Sequence, residues 1–215
     1  MLESVLTRVL LAVFGGGGIP GVKTATTVID LTPLAATAIT TLANCTAINM
    51  QAGKRTLTLT IKGRYNAAAT RGARVHVVTS TTNASAGTHT AAMNLTVMTD
   101  AAAHFVANEL IGLTIQNVTD GSSGVITGNT ETTVTVAALL GGTTNRWNLG
   151  DVYSIPGADY DNYDWDSFDC GFAAGGVLRE TRHYDTAPMY AKVRIENLDA
   201  AQAITDLEVI SALGN

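Results

Sequence analysis

Arg55-Thr-Leu-Thr-Leu-Thr-Ile-Lys62 alternates without a break. Leu57, Leu59 and Ile61 point to one side of an extended chain, and Thr56, Thr58, Thr60 and Lys62 to the other. A two-residue period is the signature of a strand with one buried and one wet face, which belongs in an antiparallel sheet. Ala73-Arg-Val-His-Val-Val-Thr79 reads the same way, as does Met189-Tyr-Ala-Lys-Val-Arg-Ile-Glu196, whose Ala191, Val193 and Ile195 face inward. Ile204 to Leu213 is a further strand, and Thr26 to Leu31 and Leu42 to Met50 are additional candidates. Short strands separated by turn residues point to a sandwich or barrel.

Between Val97 and Ile155 the texture changes. Leu113 to Asn117, Val125 to Thr127, Thr132 to Val136 and Asp151 to Ile155 are short alternating runs, and Asp120-Gly121 between two of them is a hairpin signal. Neither flanking half holds enough strands for a sandwich of its own. The expectation is therefore an all-β chain: an antiparallel β-sandwich, jelly-roll-like, from residues 22–96 and 158–215, with a small barrel-like β subdomain inserted at 97–157.

The first 21 residues stand apart as an arm. Leu2, Val5, Leu6, Val9, Leu10 and Val13 fall on one helical face, with Glu3, Thr7 and Arg8 off it. Glu3 and the lack of an Ala-x-Ala site argue against a signal peptide, and the apolar run is too short to span a bilayer. A helix this short needs a surface to dock on, and Gly15 to Gly18 supply a flexible tether. That surface belongs either to its own domain or to a neighbouring subunit or partner protein.

Composition narrows the function. The 215 residues carry 13 Lys+Arg and 18 Asp+Glu, a net charge of -5, with only 14% charged and 46% hydrophobic residues. Disorder needs the opposite balance. Binding to nucleic acid needs an excess of cations, so no nucleic-acid partner is expected, and no membrane partner either. Cys45 and Cys170 fit no ligand spacing and read as buried free thiols.

No constellation announces catalysis. Gly16-x-Gly18-x-x-Gly21 matches a dinucleotide fingerprint in letters, but no strand precedes it and no helix follows. His76, His89, His104 and His183 are isolated, and no nucleophile elbow is present. The expectation is a non-enzyme without cofactor or metal. One polar cluster stands out, Asp159-Tyr-Asp-Asn-Tyr-Asp-Trp-Asp-Ser-Phe-Asp169. Its carboxylates suit Ca²⁺, although the EF-hand pattern fails. Tyr160, Tyr163, Trp165 and Phe168 interleaved with Asp161 and Asp164 suit a glycan-stacking surface. A third possibility is an edge strand whose aromatics pack on the core or on a neighbouring subunit.

Met98 to Gly112, Thr119 to Val136 with its Asp-Gly-Ser-Ser-Gly, and Trp147 to Ile155 with its Gly-Asp-Val-Tyr-Ser-Ile resemble a small β unit of tailed-bacteriophage structural proteins. Ile29-Asp-Leu-Thr32, Ile48-Asn-Met-Gln51 and Tyr190 to Ala200 resemble β-sandwich virion proteins of the same phages. The resemblance covers most of the chain after residue 22 and implies a virion component assembled in the host cytoplasm. Such a protein decorates or cements the capsid, or serves the neck or tail. Its partners are other virion proteins and further copies of itself, as a homo-oligomer. The acidic balance puts it outside the shell, away from packaged DNA. The alternatives are a carbohydrate-binding or host-receptor module built on Tyr160, Tyr163 and Trp165, and an enzyme such as a polysaccharide depolymerase.

Overall fold

The computed structural model of the chain describes residues 24–51, 54–160, 164–185 and 189–214. The N-terminal arm, with Leu2, Val5, Leu6, Val9, Leu10 and Val13, lies outside the described residues, as do Asp161 and Tyr163. In chain order the elements are β1 (Thr24–Leu31), a 3₁₀ turn (Leu42–Asn44), β2 (Ile48–Asn49), β3 (Thr56–Tyr65), β4 (Ala73–Ser80), β5 (Ala84–Thr88), β6 (Val97–Thr99) and β7 (Thr114–Asn117). There follow β8 (Ser122–Asn129), β9 (Thr133–Val136), β10 (Val152–Pro156), β11 (Asp164–Asp169), β12 (Val177–Tyr184), β13 (Tyr190–Asn197) and β14 (Ile204–Gly214). The fold is all-β, and every strand pairing is antiparallel.

Two four-stranded sheets, in the orders β1-β14-β3-β12 and β11-β4-β13-β2, form a sandwich. The alternation of β3 acts as anticipated: Leu57, Leu59 and Ile61 are buried, and they share one core with Leu178, Leu207 and Val209 of their own sheet and with Val75, Val77, Ala191, Val193 and Ile195 of the opposite one. Removing such branched side chains from water is the main force holding the two sheets together.

The third sheet has six strands in the order β5-β10-β7-β8-β9-β6 and curves into a half-barrel. Asp120-Gly121 makes the expected β7–β8 hairpin, with Gly121 at φ +80° where a side chain would strain the turn. A second core packs against one face of this sheet, built on Met98, Ile115, Ile126, Val134, Trp147, Tyr153 and Ile155. The sheet begins with β5 at Ala84, ahead of the boundary expected at residue 97. Small residues with little alternation (Ala-Ser-Ala-Gly-Thr) hide this strand in the sequence. The stretch from Leu42 to Met50 is also different from the expected strand. Asn44 Oδ1 accepts from the Thr41 N–H at 2.8 Å and from its hydroxyl at 3.1 Å, which coils the chain into the 3₁₀ turn and leaves β2 only two residues.

The half-barrel is docked on the sandwich. β5 and β10 run side by side as its neck, closed where the Gly157 N–H donates to the Asn83 carbonyl at 2.6 Å. Leu42 and Val78, contributed by the sandwich, belong to the half-barrel's core. Arg194 of β13 donates to the Thr40 carbonyl at 3.1 Å and to Glu109 of the half-barrel at 2.6 Å, and Glu109 is only 5% exposed. Removing one partner of a buried ion pair strands the other charge away from water, at a cost of about 3–5 kcal/mol, whereas an open surface pair contributes about 0–1 kcal/mol. The Lys62–Glu208 pair, 3.1 Å apart, is only partly covered and stays in contact with solvent. Arg194→Ala is therefore expected to lower the unfolding free energy in denaturant titrations by about 3–5 kcal/mol and Lys62→Ala by about 1 kcal/mol or less. Equal losses contradict the buried latch.

Candidate functional site

β13 is the strand on which the two units meet. Ala191, Val193 and Ile195 fill the sandwich core, so strand alternation sends Lys192 and Arg194 to the opposite face. That face is covered rather than wet. Lys192 is only 3% exposed; its ammonium donates to the Leu42 carbonyl at 2.7 Å and the Gly157 carbonyl at 2.9 Å, and sits 5.2 Å from the Tyr160 ring centre. Gly157 holds φ at +80°, and a Cβ there would stand 3.0 Å from the ammonium. Burial pulls the Lys192 pKa down to about 8. The Cys45 thiol, hydrogen-bonded by the Val193 N–H at 3.2 Å, is pushed up to about 11 by burial.

Beside this joint is a cleft of about 420 Å³ bordered by Asp100, His104, Glu109, Tyr153, Asp159 and Tyr160. Its carboxylates already have partners. Asp100 accepts from the Tyr153 hydroxyl at 3.0 Å and from the Ala102 N–H at 3.0 Å. Glu109 holds Arg194, and Asp159 accepts from the Ser80 hydroxyl at 3.2 Å and from the Thr82 hydroxyl. Gly87 is required here, since a Cβ would collide with the Asp100 carboxylate and the Tyr153 hydroxyl. Among the described residues no group of three or more His, Cys, Asp or Glu is placed to hold a metal ion.

The acidic–aromatic cluster is divided between the two cores. Tyr160 is 3% exposed and donates its hydroxyl to Asn83 Oδ1 at 2.6 Å, and burial raises its pKa. It is part of the joint, with no open ring face of the kind that stacks on a sugar. Asp164 starts β11, an edge strand as one of the sequence alternatives held. A bulge between Asp164 and Asp166 turns both Trp165 and Phe168 toward the sandwich core. Trp165 lies 4.6 Å from the Tyr184 ring, and the Arg182 guanidinium sits 4.3 Å above Phe168.

Register also brings together residues far apart in sequence. Ser167 Oγ lies 3.5 Å from His76 Nδ1, whose Nε2 is 3.3 Å from Glu196. Thr58 Oγ1 lies 2.9 Å from His183 Nδ1, whose Nε2 is 3.0 Å from Asp185. Both rows set a hydroxyl, an imidazole and a carboxylate in series. Both run across outer faces of the sandwich, and neither borders the cleft. Acyl transfer needs donors aimed at a developing oxyanion as well as a polarised hydroxyl. The β4–β11, β4–β13 and β3–β12 registers create these rows, and nothing in the local sequence signals them.

Among the described residues no helix is long and apolar enough to cross a membrane. Comparison with protein-family models and with curated protein sequences gives no match.

The joint has a pH signature. Below pH 8 Lys192 is protonated in both folded and unfolded chains. Between about 8 and 10.5 the unfolded chain keeps the proton that the folded chain loses, so this group's contribution to stability rises with pH. The stability advantage of wild type over Lys192→Met is expected to grow across that window by up to about 1.4 kcal/mol per pH unit. A difference flat from pH 7 to 10 contradicts a buried, desolvated ammonium.

Proposed function

We propose that this chain is a non-enzymatic virion structural protein, a capsid decoration or cement protein or a neck or tail accessory, that works by adhesion between subunits. The observation that carries this is the surface of the half-barrel. Residues 84–156 hold six charged side chains: Asp100, Glu109, Asp120, Glu131, Asp151 and Arg146. Only Glu131 is exposed. In the same unit Met93, Leu95, Val118, Val125, Leu140, Leu149 and Val152 all stand open to solvent. A surface with so few charges and so many open apolar side chains is poorly suited to remain in water, and contiguous patches of this kind mark contact sites. The buried latch at β13 keeps this unit from swinging, so the contact surface is presented in a fixed orientation. Repetition on a symmetric particle lets each contact be modest while the sum is strong.

In this proposal the N-terminal arm is the anchor. Deleting residues 1–18 is expected to abolish incorporation into particles while leaving the melting temperature of the remaining chain unchanged. Particles that take up the shortened chain at the full level contradict an arm-anchored role.

A further inference from the structure

Four edge strands bound the two sheets of the sandwich, and three of them are blunted. β1 is bulged between Thr27 and Ile29, β11 is bulged between Asp164 and Asp166, and β2 has only two residues. Bulges and short length keep an edge from pairing with other chains. β12 has neither, and its eight residues pair with β3 without a break. Among the described residues no strand lies on its other side. The Tyr65 N–H donates to the Gly176 carbonyl at 3.0 Å. In an antiparallel ladder every second residue bonds to the neighbouring strand, so Leu178, Glu180, Arg182 and Tyr184 direct their backbone groups at β3. Val177, Arg179, Thr181 and His183 turn theirs outward, to the open edge.

The side chains on the inner face of β12 read Leu178, Glu180, Arg182, Tyr184. Glu180 and Arg182 approach to 3.7 Å, and their side chains are 27% and 45% exposed. Inward charges at an edge normally deter pairing. This set, however, complements its own reverse: an apolar residue at each end and one charge of each sign between them.

We infer that β12 pairs antiparallel with β12 of a second copy about a two-fold axis at Thr181, joining two four-stranded sheets into one. In that register Glu180 of each copy stands opposite Arg182 of the other, and Leu178 opposite Tyr184. Thr181 meets its own counterpart, and Arg179 faces His183, whose ring Asp185 holds at 3.0 Å. The outward groups of Arg179, Thr181 and His183 then form about six backbone hydrogen bonds. Moving the axis by one residue sets Glu180 against Glu180 or Arg182 against Arg182, and like charges directly opposite each other are destabilising. The backbone supplies the attraction, and the charges select the register. This contact is separate from the half-barrel surface and does not rest on a role in a particle.

Charge reversal in the full-length chain tests this. Glu180→Arg sets cation against cation across the axis, and Arg182→Glu sets anion against anion. Mixing the two variants restores opposite charges at both positions. By sedimentation equilibrium each variant alone is expected to show half the wild-type mass, and the equimolar mixture to recover it. Thr181→Pro removes an N–H from the open edge, where a strand tolerates proline, and is also expected to halve the mass with circular dichroism unchanged. Wild-type mass in both charge variants overturns the β12 pairing, and so does a mixture of folded variants that fails to recover it. If a charge variant fails to fold, Thr181→Pro decides, and wild-type mass there overturns the pairing. Any of these results leaves the half-barrel surface as the contact, whereas a wild-type chain of 22.3 kDa at every concentration overturns both.

Discussion

The Lys192 ammonium is held between two carbonyls, one from the 3₁₀ turn of the sandwich and one from the exit of the half-barrel. A buried charge must find polar partners or give up its proton. Lys192 does some of each, and the arrangement around it follows. The chain leaving β10 has to turn sharply enough to present the Gly157 carbonyl, which the positive φ of a glycine allows. Leu42 has to coil out of the strand direction to present its own carbonyl, and its side chain then enters the half-barrel's core. Tyr160 closes over the site and is anchored through its hydroxyl to Asn83 at the neck.

One strand thus serves two cores. The inward residues of β13 hold the sandwich together, and its outward residues hold the half-barrel in place. A rigid pairing of the two units suits a protein that presents a surface, because a mobile unit would lose conformational freedom on every contact it makes. The cleft beside the joint reinforces the same geometry. Its carboxylates are tied to Tyr153, Arg194, Ser80 and Thr82 and act as internal ligands of the fold.

Strands whose buried face is uniformly apolar were legible in the sequence. Arg55 to Lys62 reads directly as β3, and Asp120-Gly121 as a hairpin, because period and turn chemistry are local. β5 and β12 were not legible. β5 is built from small residues, and β12 carries Glu180 and Arg182 between Leu178 and Tyr184 on the face paired with the buried residues of β3, so its two-residue period shows no apolar alternation. The inward set of β13 could be read from its alternation, but the covering of Lys192 and Arg194 could not, since it depends on a unit folded from residues more than thirty positions earlier. Tyr160 and Phe168 were visible as aromatics among carboxylates. Their burial depends on the neck and on a bulge at Trp165, which only the folded register reveals.

The proposed adhesive role requires the half-barrel surface, poor in charge and rich in open apolar side chains, to be covered by other copies of the chain. Sedimentation equilibrium of the full-length protein over a wide concentration range tests this most directly. A closed assembly at a fixed multiple of 22.3 kDa is the predicted result. A species of 22.3 kDa at every concentration contradicts it.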